Sequence, residues 1–177
     1  TQPLGTGVVL AADMQGLARG RWIEAAHRSM QHTNDQAGGI ALELQAHAAT
    51  DVTGFGFAGH LRTLLDDTSI VARIRRESIP LLPGARTLWE SGLRSTAHPH
   101  NREAFAPSIS GATEFDEAWL FDPQTAGGML IAVSPSEIEA MGKRFAEAGE
   151  AEPVAVGEII AASGSSGLPQ GRIEVVD

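Results

Sequence analysis

The stretch Ala48–Leu61 reads AATDVTGFGFAGHL, in which one carboxylate lies just before a glycine-rich turn that opens into a helix. Gly54 and Gly56 can take positive φ and let a ligand approach the backbone, while the free N–H groups of the helix's first turn favour an anion. Asp51 can supply a hard oxygen ligand for Mg²⁺, which proteins hold through one or two carboxylates together with substrate phosphates. The stretch therefore indicates a place for a metal and a phosphate.

A structural interpretation of the same residues stays open. Asp51 or Thr53 can simply cap the following helix, and the two glycines can form a tight turn. Glycine is common near a helix N-cap. Spacing alone does not decide between the two interpretations.

Length and composition restrict the class of protein. The chain has 177 residues, enough for one full hydrophobic core, so we expect a single domain. No apolar run approaches the roughly 18 residues that span a bilayer, which excludes a membrane protein. A net charge of −9 argues against broad nucleic-acid binding, and the basic run at 73–76 is too short to reverse that.

The ends and the cysteine count add further expectations. The chain has no Cys, so these residues offer no disulfide, no zinc–thiolate site and no cysteine nucleophile. The start TQPLG lacks the basic and apolar regions of a signal peptide, which makes a cytoplasmic location the default. Because the chain begins at Thr1 and runs almost at once into an apolar segment, we expect a piece of a longer polypeptide.

Hydrophobic periodicity predicts an α+β fold, a mixed β-sheet flanked by helices. Helices are expected over about 20–32, from an N-cap at 34–35 through 46, over about 55–66, from Pro83 to about 91, and from Pro135 to about 148. Strands are expected over 7–12, 69–75, 129–133, 154–160 and 172–176. The segments 50–54, 93–117 and 163–171 are expected as a loop, a long connection with at most one short element, and a flexible loop.

A second candidate site lies in the stretch 120–130, LFDPQTAGGML, where a carboxylate and a Gly-Gly pair lead into a buried strand. Pro123 favours an extended or turn conformation at Asp122, and the glycines allow close backbone approach. The stretch can be only an Asx-Pro turn before a strand. It can also form part of a wall around a phosphate or a partner domain.

The six histidines are scattered, and His98-Pro99-His100 is the only close pair. We expect Pro99 to stiffen this pair in a loop, and structural metal sites usually show four N or S ligands in a recognisable pattern. His60 is expected as a partly buried helix residue rather than a catalyst. The sequence has no Gly-x-Ser-x-Gly elbow, P-loop Lys or His-Glu-x-x-His, so hydrolase and P-loop classes have no specific support.

Three segments together resemble one enzyme family. They are Pro3–Gly7 (PLGTG), Ala49–Gly56 (ATDVTGFG) and Asp122–Gly128 (DPQTAGG). In this order they resemble the C-terminal domain of selenophosphate synthetases, also called selenide, water dikinases, in the aminoimidazole ribonucleotide synthetase superfamily. The resemblance covers most of the chain and implies an α+β domain with a mixed sheet flanked by helices.

The resemblance implies ATP-dependent phosphorylation of selenide to selenophosphate, with AMP and orthophosphate as co-products and Mg²⁺ on the nucleotide phosphates. By motif position Asp51 is the Mg²⁺ ligand, and Thr53, Gly54 and Gly56 contribute to nucleotide binding. The nucleophilic Cys or selenocysteine, an essential Lys and most ATP-binding aspartates belong to an N-terminal domain of the same polypeptide. The resemblance thus implies a homodimer at full length, no catalytic residue within these 177, and no activity for this chain alone.

The sequence departs from the family pattern at three places. Gln2 stands where the family often has Lys, Ala126 stands where Ser is more common, and residues 94–96 replace a frequent Pro-Gly-Gly turn. Two alternatives therefore stay open. The chain can be a docking or regulatory domain that has lost phosphoryl transfer, or a relative that acts on another phosphoryl acceptor, as in purine synthesis or thiamine phosphate metabolism.

Overall fold

The computed structural model describes residues 1–65, 69–162 and 172–177. The helices in these ranges are α1 (Thr6–Met14), α2 (Gly20–Gln31), α3 (Asp35–Glu43), α4 (Gly56–Leu64), α5 (Ala85–Glu90), α6 (His98–Phe105), α7 (Glu114–Leu120) and α8 (Ile138–Glu147). The strands are β1 (Ala48–Asp51), β2 (Ile70–Arg75), β3 (Ile109–Ser110), β4 (Met129–Ala132), β5 (Gly157–Ala161) and β6 (Arg172–Val176). Within the described ranges no helix is long and apolar enough to cross a membrane.

The described strands form two sheets. A mixed four-stranded sheet has the order β3-β6-β2-β5, with β6 parallel to both β2 and β3 and β5 antiparallel to β2. A separate antiparallel pair joins β1 to β4, with Asp51 opposite Met129. Helices pack on these sheets, which confirms the predicted α+β class with a mixed sheet.

The main core lies where α1, α4, α5 and α7 pack against the four-stranded sheet. Its largest fully buried side chains include Trp89, Trp119 and Phe121. A smaller cluster joins α3 to α8 beneath β4, around Ile40 and Phe145. This arrangement places β1 and the turn at 53–55, just before α4, at the surface, and this turn contacts the loop that precedes β4.

The prediction of a strand over 7–12 is wrong, because this segment is helix α1. Val8, Val9 and Ala12 are fully buried, a spacing that places them on one helical face. A short apolar run is compatible with a buried strand or a buried helix, and periodicity does not separate the two. The deciding contacts come from residues 122–125, which bind the N-terminal end of α1.

The prediction of a loop over 50–54 is also partly wrong. Thr50 and Asp51 are the last two residues of β1, and the turn begins only at Val52. The connection predicted over 93–117 holds more structure than expected, namely α6, β3 and the start of α7. The loop predicted over 163–171 lies outside the described residues.

The remaining elements are confirmed, with ends that shift by a few residues. The helices predicted from 20, 34–35, 55, 83 and 135 correspond to α2, α3, α4, α5 and a short 3₁₀ turn followed by α8. The strands predicted from 69, 129, 154 and 172 correspond to β2, β4, β5 and β6. The end expected for the third helix at Asp66 lies outside the described residues.

Candidate functional site

The three motif segments, distant in sequence, meet at one place in the fold. The side-chain oxygen of Gln124 accepts hydrogen bonds from the backbone N–H groups of Gly5 at 2.9 Å and Thr6 at 3.1 Å. The Thr6 hydroxyl also donates to that oxygen, and it accepts from the backbone N–H of Thr125. The loop before β4 therefore supplies the cap of α1, whose own N-cap residue, Gly5, makes no side-chain hydrogen bond.

The middle segment binds the same loop. The backbone N–H of Val52 donates to the Gly128 carbonyl at 2.9 Å, and the N–H of Gln124 donates to the Thr53 carbonyl at 3.0 Å. A Cβ on Gly127 would lie 2.2 Å from the Val52 carbonyl oxygen, so the two backbones are in direct contact. The glycine pair of this loop thus permits close packing of one motif on another.

Gly56 has a structural reason to be glycine. Its φ is +69°, and a Cβ would lie 3.0 Å from the carbonyl oxygens of both Leu120 and Asp122. Gly54 differs, because its φ is not positive and no described heavy atom lies within 4 Å of the place a Cβ would take. The expectation of positive φ is therefore confirmed for Gly56 and wrong for Gly54, whose surroundings are open.

The capping interpretation of Asp51 and Thr53 is wrong. The N-cap of α4 is Phe55, and no described side chain hydrogen-bonds to that helix start. Thr53 instead pairs its hydroxyl with the Nε2 atom of His60 at 3.1 Å. Asp51 is exposed at the end of β1, which leaves its carboxylate available to a ligand.

The exposed residues Asp51, Gly54 and Phe55, with the half-buried Thr53, form what we call the open face. His60 contacts this face from the middle of α4. The imidazole is half-buried, as expected, and its ring centroid lies 5.7 Å from that of the exposed Phe55. Burial lowers the pKa of His60, and the negative charge of Asp51 opposes that effect. His60 is therefore close enough to Asp51 to respond to a charge bound there.

Asn101 is a residue that the sequence interpretation missed. Its buried side-chain amide donates to the Gly54 carbonyl at 2.9 Å and to the Phe121 carbonyl at 3.1 Å. It thereby fastens the glycine turn to the loop before β4 from helix α6. No local sequence pattern identifies Asn101 as a contact of the glycine turn, because it lies in the segment interpreted as a connection.

Asp122 is fully buried, and its side chain contacts other protein groups rather than solvent. Its Oδ2 accepts from the Val8 N–H at 3.3 Å and from the Gln124 amide at 3.0 Å. Among the described side chains, its Oδ1 and the Trp89 indole nitrogen are buried without a hydrogen-bond partner. Burial raises the pKa of Asp122 to about 7, against the opposing effect of the hydrogen bonds from Val8 and Gln124.

The buried position of Asp122 bears on the second candidate site. Asp122 and Gln124 face α1 and are too buried to contact a ligand from solvent, whereas Thr125 and Ala126 are exposed. The stretch 122–128 thus has mainly a structural role, because it hydrogen-bonds both to the start of α1 and to the glycine turn. A wall around a phosphate would have to use the exposed residues of that loop.

The described residues contain no group of three or more His, Asp or Glu side chains that could hold a metal ion. His98, expected in a loop, is instead buried at the start of α6 and pairs with the Glu117 carbonyl at 3.0 Å. The exposed Asp51 carboxylate and, two residues later, the half-buried Thr53 hydroxyl that pairs with His60 are a sparse supply of oxygen donors. Such a set suits Mg²⁺ that is held mainly by nucleotide phosphates, rather than a metal enclosed by protein ligands.

Comparison with protein families identifies a match over almost the whole chain. Residues 4–168 match the family described as AIR synthase related protein, C-terminal domain. The chain is 36% identical over 163 residues to a selenide, water dikinase of Pelobacter propionicus, covering 90% of this chain and 47% of that protein. It is 34% identical over 165 residues to a selenide, water dikinase of Geobacter sp. strain M21, with coverages of 93% and 48%. The chain thus spans about half the length of these curated relatives.

Solved structures share the fold. The hydrogenase maturation protein HypE superposes with a TM-score of 0.61 at 14% identity, over 97% of this chain and 46% of that chain. HypE in complex with ATP gives a TM-score of 0.55 at 15% identity, over 89% and 40%. Thiamine-monophosphate kinase from Stenotrophomonas maltophilia gives 0.51 at 18% identity, over 98% and 48%. At these identities the likeness concerns the fold alone.

Proposed function

The chain belongs to the AIR synthase related protein family as its C-terminal domain, and on that premise we propose that it is one half of a selenophosphate synthetase. In this proposal residues 1–177 form a single domain of a longer enzyme. An N-terminal domain of the same polypeptide supplies the nucleophile and most of the ATP site, and the full-length enzyme is a homodimer. The overall reaction converts ATP, selenide and water into selenophosphate, AMP and orthophosphate.

One observation carries the proposal. The buried residues of the three motifs bind one another, whereas Asp51, Gly54 and Phe55 are exposed beside the half-buried Thr53, and Thr125 and Ala126 are exposed in the loop before β4. A carboxylate, a hydroxyl and an unobstructed backbone are the groups that a magnesium–phosphate ligand needs. The curated relatives that match this chain are selenide, water dikinases, which supports selenide as the acceptor.

The proposal gives a role to four residues of the segment Ala49–Gly56. Asp51 is a ligand of the Mg²⁺ that accompanies ATP; when bound, this ion neutralises phosphate charge during phosphoryl transfer. Thr53, Gly54 and Gly56 contribute to nucleotide binding, Thr53 through its hydroxyl and Gly54 through its backbone. Gly56 acts indirectly, since its backbone is packed against residues 120–122 and sets the turn that presents the other two.

Glycine substitutions separate ligand contact from folding. We expect Gly54→Ala to leave the free energy of unfolding of this chain within about 0.5 kcal/mol, because its surroundings are open. In the full-length enzyme the same change should raise the KM for ATP by about tenfold, roughly 1.4 kcal/mol, if a phosphate lies against the backbone. Gly56→Ala should instead destabilise the chain by roughly 2 kcal/mol through positive φ and crowding.

Chemical denaturation and steady-state kinetics measure these effects. Gly39→Ala is the matched control, since Gly39 also has no described atom within 4 Å but lies in α3, away from the open face. An unchanged KM for ATP in Gly54→Ala would count against a phosphate at this turn.

A further inference from the structure

The backbone of Thr53 is fixed from two directions, whereas its side chain keeps rotational freedom. The Thr53 carbonyl accepts from the Gly56 N–H at 2.9 Å and from the Gln124 N–H at 3.0 Å. The side chain turns about its Cα–Cβ bond, which offers staggered positions for the hydroxyl. The group that contacts this hydroxyl therefore decides where it points.

His60 makes that contact. Its Nε2 atom lies 3.1 Å from the Thr53 hydroxyl oxygen, seven residues away in sequence. The bond joins the turn before α4 to a helix whose Phe57 and Leu61 are buried in the main core. The Thr53 hydroxyl is thus tied to a firmly packed element.

Aromatic neighbours restrict the position of the His60 ring. The ring is half-buried, and the Phe55 ring lies beside it at an interplanar angle of 33°. Phe55 in turn packs edge-on against Phe105, with ring centroids 6.0 Å apart. A Cβ on Gly59 would lie 2.5 Å from the Phe55 Cβ and 2.6 Å from the Phe105 ring, so the backbone of α4 is close to both. The imidazole is therefore held in place beside the Thr53 hydroxyl.

The hydrogen bond between His60 and Thr53 has two possible directions, which suit different ligands. When the Thr53 hydroxyl donates to Nε2, its oxygen presents lone pairs to a ligand, which suits a cation. When Nε2–H donates to the hydroxyl oxygen, the hydroxyl proton is available to an acceptor, which suits a phosphate oxygen. Histidine carries the Nε2–H both in one neutral tautomer and in its protonated form.

The backbone that follows Thr53 favours an acceptor ligand. Within the described part of the chain, the N–H groups of Gly54 and Phe55 have no hydrogen-bond acceptor, and both residues are exposed. A ligand beside these donors satisfies them with acceptor oxygens, as a phosphate does. The Thr53 hydroxyl can join the same set of donors only when His60 donates through Nε2.

We infer that His60 is a positioning residue, which donates its Nε2–H to the Thr53 hydroxyl oxygen and thereby directs the Thr53 proton toward a phosphate oxygen of the nucleotide. The inference rests on the proposed function, which assigns the Thr53 hydroxyl to nucleotide binding. His60 acts only through Thr53 and does not itself contact the phosphate. Without the Nε2–H, the Thr53 proton is no longer held toward the ligand, and the phosphate loses part of a hydrogen bond.

Nitrogen NMR of the His60 ring tests the direction of the bond without ATP or selenide. The chain is labelled with ¹⁵N at histidine, and the chemical shifts of the ring nitrogens distinguish a protonated Nε2 from an unprotonated one. Comparison with His60→Gln assigns the signals. We expect Nε2 of His60 to be protonated at pH 7. An unprotonated Nε2 beside a protonated Nδ1 would overturn the inference, because the Thr53 hydroxyl would then be the donor.

Equilibrium binding of MgATP to the full-length enzyme tests the consequence. His60→Leu removes the donor, and Thr53→Val removes the hydroxyl with little change of shape. We expect each to raise the Kd for MgATP about fivefold, as for the loss of one neutral hydrogen bond. The double variant should bind no more weakly than Thr53→Val alone, because His60 acts through that hydroxyl. His60→Gln should recover most of the affinity, since its amide N–H has about the reach of Nε2.

His47 and Ser134 form the matched control pair. The Nε2 atom of His47 lies 3.0 Å from the Ser134 hydroxyl, and His47 precedes β1 at the end opposite Asp51. His47→Leu should leave the Kd for MgATP unchanged. An unchanged Kd in His60→Leu, or additive effects of His60→Leu and Thr53→Val, would overturn the inference alone. A failure of the unaltered enzyme to bind MgATP would instead overturn the proposed function, and this inference with it.

Discussion

Replacing Asp51 by Asn in the full-length enzyme is expected to lower selenophosphate formation by roughly 100-fold or more, because a bound metal contributes several kcal/mol to the transition state and each 1.4 kcal/mol is tenfold in rate. Asn keeps the size of the side chain and one oxygen but removes the charge that attracts Mg²⁺. The residue is exposed at the end of β1, so the free energy of unfolding should change by less than about 0.5 kcal/mol.

The rate of AMP release, measured against Mg²⁺ concentration, checks this expectation. Higher Mg²⁺ should recover part of the activity of Asp51→Asn, since weaker binding of the metal is compensated by mass action. Asp13→Asn is the matched control, because Asp13 is also an exposed aspartate but lies in α1. Near-normal turnover of Asp51→Asn at limiting Mg²⁺ would reject the assignment of this carboxylate.

The stability of the chain is expected to fall as pH rises from about 4 to about 7, through the titration of Asp122. Burial raises the pKa of this carboxyl to about 7 from an ordinary value of 3.8. Between these two values the folded chain holds a proton that the unfolded chain releases, so unfolding becomes easier as pH increases. Titration of Asp122 stabilises the folded chain by roughly 4 kcal/mol below about pH 4, and this stabilisation is lost above about pH 7.

Urea denaturation followed by circular dichroism, repeated across this pH range, measures the effect. Asp122→Asn is the control, because an amide oxygen can still accept from the Val8 N–H but does not titrate. The difference in unfolding free energy between the chain and this variant isolates Asp122 from the other titrating groups. Two parallel stability profiles would show that Asp122 is already ionised in the fold below pH 7.

The sequence predicted those elements whose signals are local. The amphipathic pattern of α2 and the Pro135 start before α8 are examples, and both are confirmed. Helix α1 could not be predicted in this way, because its N-terminal N–H groups are bound by Gln124 and Asp122, more than 110 residues away. Strand β1 was missed for a similar reason, since its Ala48-Ala49 start has little β-propensity and pairing with β4 defines it.

The candidate site was predicted as a set of residue types and not as a geometry. Asp51 and Gly54 were identified from their motif, and the structure places both on an open face. The roles of Asp51, Thr53, Gly54 and Gly56 toward a ligand stay predictions. The contact of His60 with Thr53 could not be read from spacing, because position 60 fits a helix face equally well.

Phosphorus NMR of MgATP with selenide tests the central proposal most directly. The spectra are recorded on this chain alone, on a separately expressed N-terminal half, and on their mixture, with thiamine monophosphate as a second acceptor. We expect selenophosphate, AMP and orthophosphate only in the mixture that contains selenide. A folded complex of the two halves that forms no selenophosphate would contradict the proposal and favour a docking role, and phosphorylation of thiamine monophosphate instead would reassign the acceptor.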